Sequence, residues 1–492
     1  MSGHVVIVGG GISGLAALEH LTRVAPDVRV TLVEASPRLG GLIRTHRDSG
    51  FVMEAGPDVI LTAKPAALEL ARRVGLGDRI QSTNPAAQGS FILSDGTLRR
   101  IPDGLTGLVP SRFGPFVTTP LISPLGKARV ALEYFIPPRR DAADESIAHF
   151  VGRRLGREMY ERLVEPLLSG ISAGDGEQLS IDAMFPQLKA YERDYGGLVR
   201  GMLARKRAPA GASRPASGGI GAFASFPAGL QELPEAVERT TRERNRSSGT
   251  TSILLGSSVQ AIARGDASDM VASGARYAVA LSDGRLVAAD AVIVATPAFA
   301  AATLVRGLDP SLADMLEAVE YASMVTISLA FPRTALPRKL DATGYVVPRV
   351  AKRPVLACTF SSVKFDHRAP AGQALFRLFI GGVGRGNFES SSDEALERLA
   401  REELREVLGI GARPTLVQID RFDRAMPQYT VGHTARTARI AGAAARLPGL
   451  ALAGAVYGGV GIPDCVRSGV EAAGRALTAL GVETPPSLAT CP

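Results

Sequence analysis

Tryptophan is absent from this chain, and cysteine and histidine are scarce. Cys358, Cys465 and Cys491 form no CxxC pair, and the six histidines form no HExxH or comparable cluster. A disulfide framework and a zinc site are thereby excluded, and no metal is expected. No apolar run approaches the ~20 residues of a spanning helix, so any membrane contact is expected to be peripheral. The N-terminus lacks a charged n-region and its apolar run is too short for a signal peptide, which points to the cytoplasm. The net charge of +8 is modest for 492 residues and is not gathered into a basic stripe. It argues against nucleic acid and suits an anionic substrate or an anionic membrane surface.

What the chain does have is aliphatic residues and 54 glycines, with an ordinary charged fraction, so it reads as globular. Its length calls for two or three domains. The first stretch organises the rest. Val5 to Val8 form an unbroken apolar run, as a strand buried on both faces requires. Gly9, Gly11 and Gly14 then spell G-x-G-x-x-G, and Leu15, Ala16, Leu18 and Leu21 repeat at helical spacing. Gly9 permits the tight turn, Gly11 lets a pyrophosphate touch the backbone, and Gly14 allows close packing of helix on strand. The helix start, at Ile12 and Ser13, offers unpaired N–H groups and a positive dipole end. A second strand over 28–33 ends at Glu34, twenty residues past Gly14, where a carboxylate accepts both ribose hydroxyls of an adenine dinucleotide and repels a 2′-phosphate.

Beyond Glu34 and Ala35 comes Arg38-Leu-Gly-Gly-Leu-Ile-Arg44, then Phe51-Val-Met-Glu-Ala-Gly-Pro57. Gly40 and Gly41 permit a second close approach of backbone, and Arg38 and Arg44 can neutralise phosphate. Phe91 to Ile101 reads as a hairpin around Asp95-Gly96. Residues 111–211 are rich in helix formers, with helices expected over Ser146–Leu168 and Leu198–Arg207, and their basic edge could rest on an anionic bilayer. Arg207–Ile220 reads as a mobile loop. Strands return near Ile253–Ile262 and Ala289–Pro297, a stretch that includes Val259, Ala295 and Thr296. In Leu375–Gly382, Phe376 and Ile380 share one face and Phe379 takes the other. Asp393–Leu408 is an amphipathic helix. The last strand, Leu450–Gly454, leads through a glycine-rich turn, with Val460, Gly461 and Ile462 at its end, into a helix over Pro463–Leu480.

The R-x-G-G segment resembles the flavin-binding signature of the amine oxidase and desaturase superfamily. The chain as a whole, from Val5 to Leu480, resembles the oxygen-dependent, FAD-containing protoporphyrinogen oxidases of haem synthesis. The narrower resemblance rests on Leu168–Ser180, Phe226–Pro234, Met426–His433 and Tyr457–Cys465. It implies an α/β fold: a Rossmann-like FAD-binding domain of the amine oxidase type, a mixed-sheet α+β substrate lobe and a helical subdomain able to meet a membrane. The expected divisions are 1–88, 222–302 and 445–484 for FAD, 89–110 and 303–444 for substrate, and 111–221 for the helical part.

By the same resemblance, FAD is held by Gly9, Gly11, Ile12, Ser13, Gly14, Glu34, Ala35, Arg38, Gly40, Gly41, Leu42, Gly56, Pro57, Val259, Ala295, Thr296, Gly454, Val460, Gly461 and Ile462. The carbonyl of Gly170 faces the pyrrole N–H groups, and Val346 and Phe379 are apolar walls. The implied reaction oxidises protoporphyrinogen IX, with oxygen as acceptor and peroxide released; coproporphyrinogen III is the alternative substrate. A ferrochelatase, a second copy of the chain and the inner face of the cell membrane are candidate partners. An amine oxidase, a carotenoid desaturase and a non-catalytic flavin or haem-handling protein are the other classes weighed. Two departures bear on carboxylate recognition. Thr106 stands where some relatives carry a propionate-binding arginine, leaving Arg99 or Arg100 as substitutes, and Phe422 stands where tryptophan is frequent.

Overall fold

The computed structural model describes residues 3–87, 89–106, 109–110, 113–139, 141, 143–207, 221–265 and 274–483; the side chains of 105–106, 109–110, 113 and 205–207 lie outside the description. The Val5–Val8 run is the centre of a five-stranded parallel sheet. Its strands lie in the order Thr251–Leu255, Arg29–Glu34, His4–Val8, Ala291–Val294, Leu450–Leu452. Burial on both faces has a direct cause. Val5 and Ile7 enter one apolar core with Leu15, Leu18, Ala472 and Ala473, while Val6 and Val8 enter a second on the opposite face. The first core is roofed by the helices Ile12–Val24 and Ile462–Ala479. The second is covered by the antiparallel strands Val259–Arg264, Tyr277–Leu281 and Leu286–Ala289 and by the helices Ala298–Val305, Pro310–Glu317 and His433–Ala445. The last two of these helices fall almost wholly within the 303–444 stretch expected for substrate, yet their buried residues pack against the parallel sheet.

A second, seven-stranded sheet runs Leu416–Pro427, Tyr321–Pro332, Gln373–Gly381, Val355–Thr359, Gly344–Val346, Phe91–Ser94, Thr97–Arg100. Only the pairing of Gly344–Val346 with Phe91–Ser94 is parallel. Phe376, Leu378 and Ile380 pack on the helix Asp393–Leu408, capped by the Ser392 hydroxyl, which accepts from Ala395 N–H. Phe379 emerges on the other face, as the period of two requires.

The helical spacing over Ser146–Leu168 is realised as several pieces. Ser146 caps Ile147–Leu155, but Gly156 (φ 99°) stops it. A short run, one wide turn (Tyr160–Val164) and the helix Glu165–Ser172 follow. A left-handed backbone at Gly156 lets the chain turn tightly around Arg129, whose Cγ would lie 2.8 Å from an added Cβ. The core here is stitched by charge. Arg154 and Glu133, both without exposed surface, pair with each other, and Arg153 bridges Glu145 and Glu192. Leu198–Arg207 is helical as expected, whereas the loop expected over 208–220 lies outside the described residues.

Candidate functional site

The glycine turn at the end of Val5–Val8 has the geometry its spacing implies. Gly9 takes φ 104° against the Ala295 carbonyl, and a Cβ on Gly14 would stand 1.9 Å from the Gly9 oxygen. Gly11 faces open space, with no atom within 4 Å of an added Cβ. It begins the helix Ile12–Val24, which no side chain caps, so the first N–H groups are left for an outside acceptor.

The Glu34 carboxylate is fixed at its strand end, accepting from Gly10 N–H (2.6 Å) and Ser36 N–H (2.8 Å). Each oxygen retains a lone pair for a hydroxyl. Gly256 and Ser257 bond back to Ser36 and Glu34, which brings Val259 to the same end as Glu34 and Ala35. The Gly40-Gly41 turn folds onto the first: Gly40 donates to Gly10, and a Cβ on Gly41 would lie 3.1 Å from Gly11 Cα. Arg38, expected to neutralise phosphate, also shapes the turn. Its guanidinium donates to the carbonyls of Leu39, Ile43 and Gly41 and so holds the turn's shape.

The far end of the chain completes the cradle. Gly454 (φ 140°) sits beside Thr296, whose buried hydroxyl has no partner. The expected glycine-rich turn contains a short helix, Ala455–Gly458, before Gly459 (φ 130°) and Val460. Gly461 then caps Ile462–Ala479, again without a side-chain cap. A Cβ on Gly469 would meet the Ser13 carbonyl at 2.1 Å, so the two helices touch there. Both follow parallel strands and run the same way. Counted back seven residues, the second helix begins about 10 Å beyond that contact. Two uncapped helix starts, staggered along one edge of the sheet, suit a ligand with two separated electron-rich groups.

A buried charged cluster that sequence reasoning missed joins this cradle to the second sheet. A Cβ on Gly56 would press on the Leu42 carbonyl at 1.9 Å. Arg377, 2% exposed, donates to the carbonyls of Ala55 and Gly56 and stacks 4.5 Å over the Phe379 ring. Thr326 also donates to Ala55 (2.9 Å), and Lys364 bonds Asp58 (2.7 Å), beside Pro57. Burial pushes the Asp58 carboxyl up, but the Lys364 and Arg377 charges outweigh it and hold it below the usual range. The signal was present as an arginine in an otherwise apolar strand, two residues before Phe379 and therefore on its face.

Asp420, Thr326, Phe379, Ala357, Val346, Ile92 and Arg99 form one register row across all seven strands. Val346 and Phe379 are only half buried on this face, beside Met324, Met426 and Val383. Across from them lies Gly170, exposed, where a Cβ would meet Val346 Cγ1 at 3.2 Å; Ile171 next to it is 58% exposed. The three residues expected at the substrate thus share one half-buried apolar face between the sheet and the helix Glu165–Ser172, the candidate groove. Of the two candidate cations, Arg100 is turned to the opposite face, on Phe91 and Asp341, while Arg99 shares the groove's face. The Thr106 side chain lies outside the described residues.

The other distinctive segments hold this arrangement. Tyr429 stacks on His433 (3.9 Å) and its hydroxyl donates to Ala455 and accepts from Gly459 N–H. Gln428 donates to Ser172, at the end of the helix bearing Gly170. Cys465 is buried, and burial pushes its thiol up to about 12, as a packing residue requires. Among the described residues no cluster of metal-ligating side chains exists.

The sequence profile of the flavin-containing amine oxidoreductases matches residues 12–477. Coproporphyrinogen III oxidase of Bacillus subtilis is 35% identical over 483 residues, 97% of this chain and 98% of that one. Human protoporphyrinogen oxidase is 34% identical over 498 residues, again 97% and 98% of the two chains. A crystal structure assigned as a protoporphyrinogen oxidase from Exiguobacterium superposes with a TM-score of 0.82 at 33% identity, covering 98% of this chain and 99% of the other. Reduced UDP-galactopyranose mutase, at 16% identity and a TM-score of 0.69, shares the fold.

Proposed function

The chain belongs to the flavin-containing amine oxidoreductases, and from that premise we propose that it oxidises a porphyrinogen to the porphyrin in haem synthesis. Protoporphyrinogen IX and coproporphyrinogen III, the substrates named for the relatives above, are the two candidates. The cofactor is FAD, and the residues present fit it. Gly11 is open to a pyrophosphate, Glu34 is set for a ribose, and the second uncapped helix start lies about 10 Å further on, where the ring of a long dinucleotide would end. When bound, FAD supplies the hydride acceptor and oxygen the final oxidant.

The observation that carries the reading is the path Gly11–Gly41, Leu42–Gly56, Gly56–Arg377 and Arg377–Phe379, continued across Ala357 of the register row to Val346 and from there to Gly170. It sets an apolar groove directly against the cofactor cradle. In that groove Val346 and Phe379 would flank the reduced macrocycle, excluding water, while the Gly170 carbonyl would accept from pyrrole N–H groups and fix which meso carbon is presented. Aromatisation drives the reaction, so orientation matters more than a strong base. The domain roles follow the two sheets: the parallel sheet for FAD, the seven-stranded sheet for substrate.

A peripheral stand on the inner face of an anionic membrane belongs to the same reading. What supports it is exposed apolar surface in the helical part: Leu125 (81% exposed) near Arg157, Val117 (61%) bonded through its carbonyl to Lys127, and Phe135 (74%). Among the described residues no helix is long and apolar enough to cross a membrane. A ferrochelatase, as consumer of the porphyrin, and a second copy of the chain complete the proposed partners.

The test is anaerobic mixing of the holoprotein with each porphyrinogen, followed by admission of air. Flavin bleaching, then porphyrin fluorescence and peroxide above the uncatalysed rate, is expected. A flavin that stays oxidised with both substrates would overturn the reading in favour of amines or polyenes.

A further inference from the structure

A porphyrinogen carries carboxylates on an otherwise apolar ring; Arg377 is buried on Ala55 and Gly56 and Arg99 stands at the far end of the register row, so the groove walls at Val346 and Phe379 offer no free cation among the described residues. The end of the groove does. Three residues past Val346, Arg349 sends its side chain across to Gly174 and Val383, where Nη2 donates to the Val383 carbonyl (2.9 Å) and more weakly to Gly174 (3.4 Å). Val383 in turn donates to Ala173 (2.8 Å), and Ala173, Val383, Val346 and Phe379 belong to one apolar cluster. The guanidinium is therefore fixed at the rim of the walls and is not free to swing in solvent.

Arg349 and Arg385 share one acid, Glu165, which is itself buried. One Glu165 oxygen accepts the Arg349 backbone N–H (2.8 Å) and the other accepts from Arg385 Nη2 (3.3 Å). Arg385 donates to the carbonyls of Val347, Arg353 and Val355 and keeps its own Nε buried without a partner. Asp175 adds its field at Arg385, and of the two guanidiniums only Arg349 is exposed enough to meet a ligand, 29% against 3%. The Arg349 Nε is buried without a hydrogen-bond partner and lies 3.7 Å from Glu165. Its Nη1 has no hydrogen-bond partner among the described residues, and 29% of the side chain is exposed. An arginine fork held by one terminal nitrogen, with the other free at the mouth of an apolar groove, is built to take a carboxylate.

Resting on the porphyrinogen reading, we infer that Arg349 is the anchor for a substrate carboxylate, in the role for which Thr106 has no charge. It is a positioning residue. It would set how far the ring enters the groove, and so which edge is presented to the cofactor, without touching the reacting carbon.

The test is steady-state kinetics of Arg349→Leu and Arg349→Lys holoproteins with coproporphyrinogen III and with octaethylporphyrinogen, which has no carboxylate. FAD content and Tm serve as controls for folding. For the leucine variant KM for coproporphyrinogen III is expected to rise roughly tenfold to hundredfold, the range carried by a charge-assisted hydrogen bond. Its kcat should hold within about twofold, its KM for octaethylporphyrinogen should not move, and the lysine variant should recover part of the loss. If the leucine variant loses FAD, the lysine variant and fluorescence titration of coproporphyrin III binding carry the test. An unmoved KM and Kd, equal losses on both substrates, or a loss confined to a parallel Arg99→Leu variant would overturn the anchor. A wild type inactive on every porphyrinogen would overturn the oxidase reading itself.

Discussion

At the residue scale, the cradle depends on positions where a single methyl group has no room. Gly14 is the sharpest, because a Cβ there would penetrate the Gly9 carbonyl oxygen at 1.9 Å, and Gly9 cannot retreat from Ala295. Gly14→Ala is expected to cost about 1–3 kcal/mol through overpacking and, by tilting the helix Ile12–Val24 away from the strand, to lose most of the bound FAD. Flavin absorbance per protein and Tm check this. The same change at Gly11, with nothing within 4 Å, should leave the apoprotein's Tm nearly unchanged and weaken FAD alone. Equal losses of stability for the two variants would contradict the assigned roles.

At the scale of elements, the helical part is held by ion pairs as much as by its apolar core. Glu145 accepts from Arg153, Lys189 and His149. Burial pushes its carboxyl up, but the hydrogen bonds from Arg153 and Lys189 outweigh this and bring it from 4.5 to about 2. Glu192, bound by the same Arg153, is also held low against the effect of burial. A carboxyl whose folded value lies below its unfolded value adds stability that is complete above pH 4.5 and is lost as pH falls towards 2. Glu145→Gln should therefore lower Tm at neutral pH by at least about 2–4 °C, with the gap to wild type closing as pH falls towards 2. Thermal melts across that range measure it, and a gap independent of pH would refute the assignment.

At the scale of the whole molecule, two sheets assembled from distant stretches of chain meet at a buried cluster with Arg377 as its central strut. Arg377 belongs to the seven-stranded sheet, yet its donors end on Ala55 and Gly56 of the cofactor cradle. FAD binding should then stabilise both lobes as a unit, by about 2.7 kcal/mol at free FAD a hundredfold above its Kd. A single calorimetric transition that moves upward with FAD is expected. Arg377→Met removes the strut's hydrogen bonds to Ala55 and Gly56 and its field at Asp58 and Glu54, which keep Lys364 and Arg368 as partners, a loss of about 1–3 kcal/mol. It should split the transition so that FAD raises only one component. A variant that still melts in one FAD-dependent step would show that the lobes are coupled elsewhere.

The sequence by itself determined the two strand–turn–helix units at the ends of the chain, the Phe91–Ile101 hairpin and the helix Asp393–Leu408. Each rests on local signals: glycine spacing, apolar periodicity and caps within a few residues. It also set the face on which Phe379 lies, since alternation along a strand is local. Tertiary structure alone decided the rest. The break at Gly156, the turn of Arg38 onto its own loop and the fate of Arg100 depend on neighbours brought from elsewhere in the chain or on the exact fold of a turn. Arg377 and Arg349 gain their meaning from carbonyls and carboxylates that register and packing place beside them, as with Ala55, 322 residues away from Arg377. Buried charge is costly unless paired, and a pairing across hundreds of residues leaves no local pattern to read.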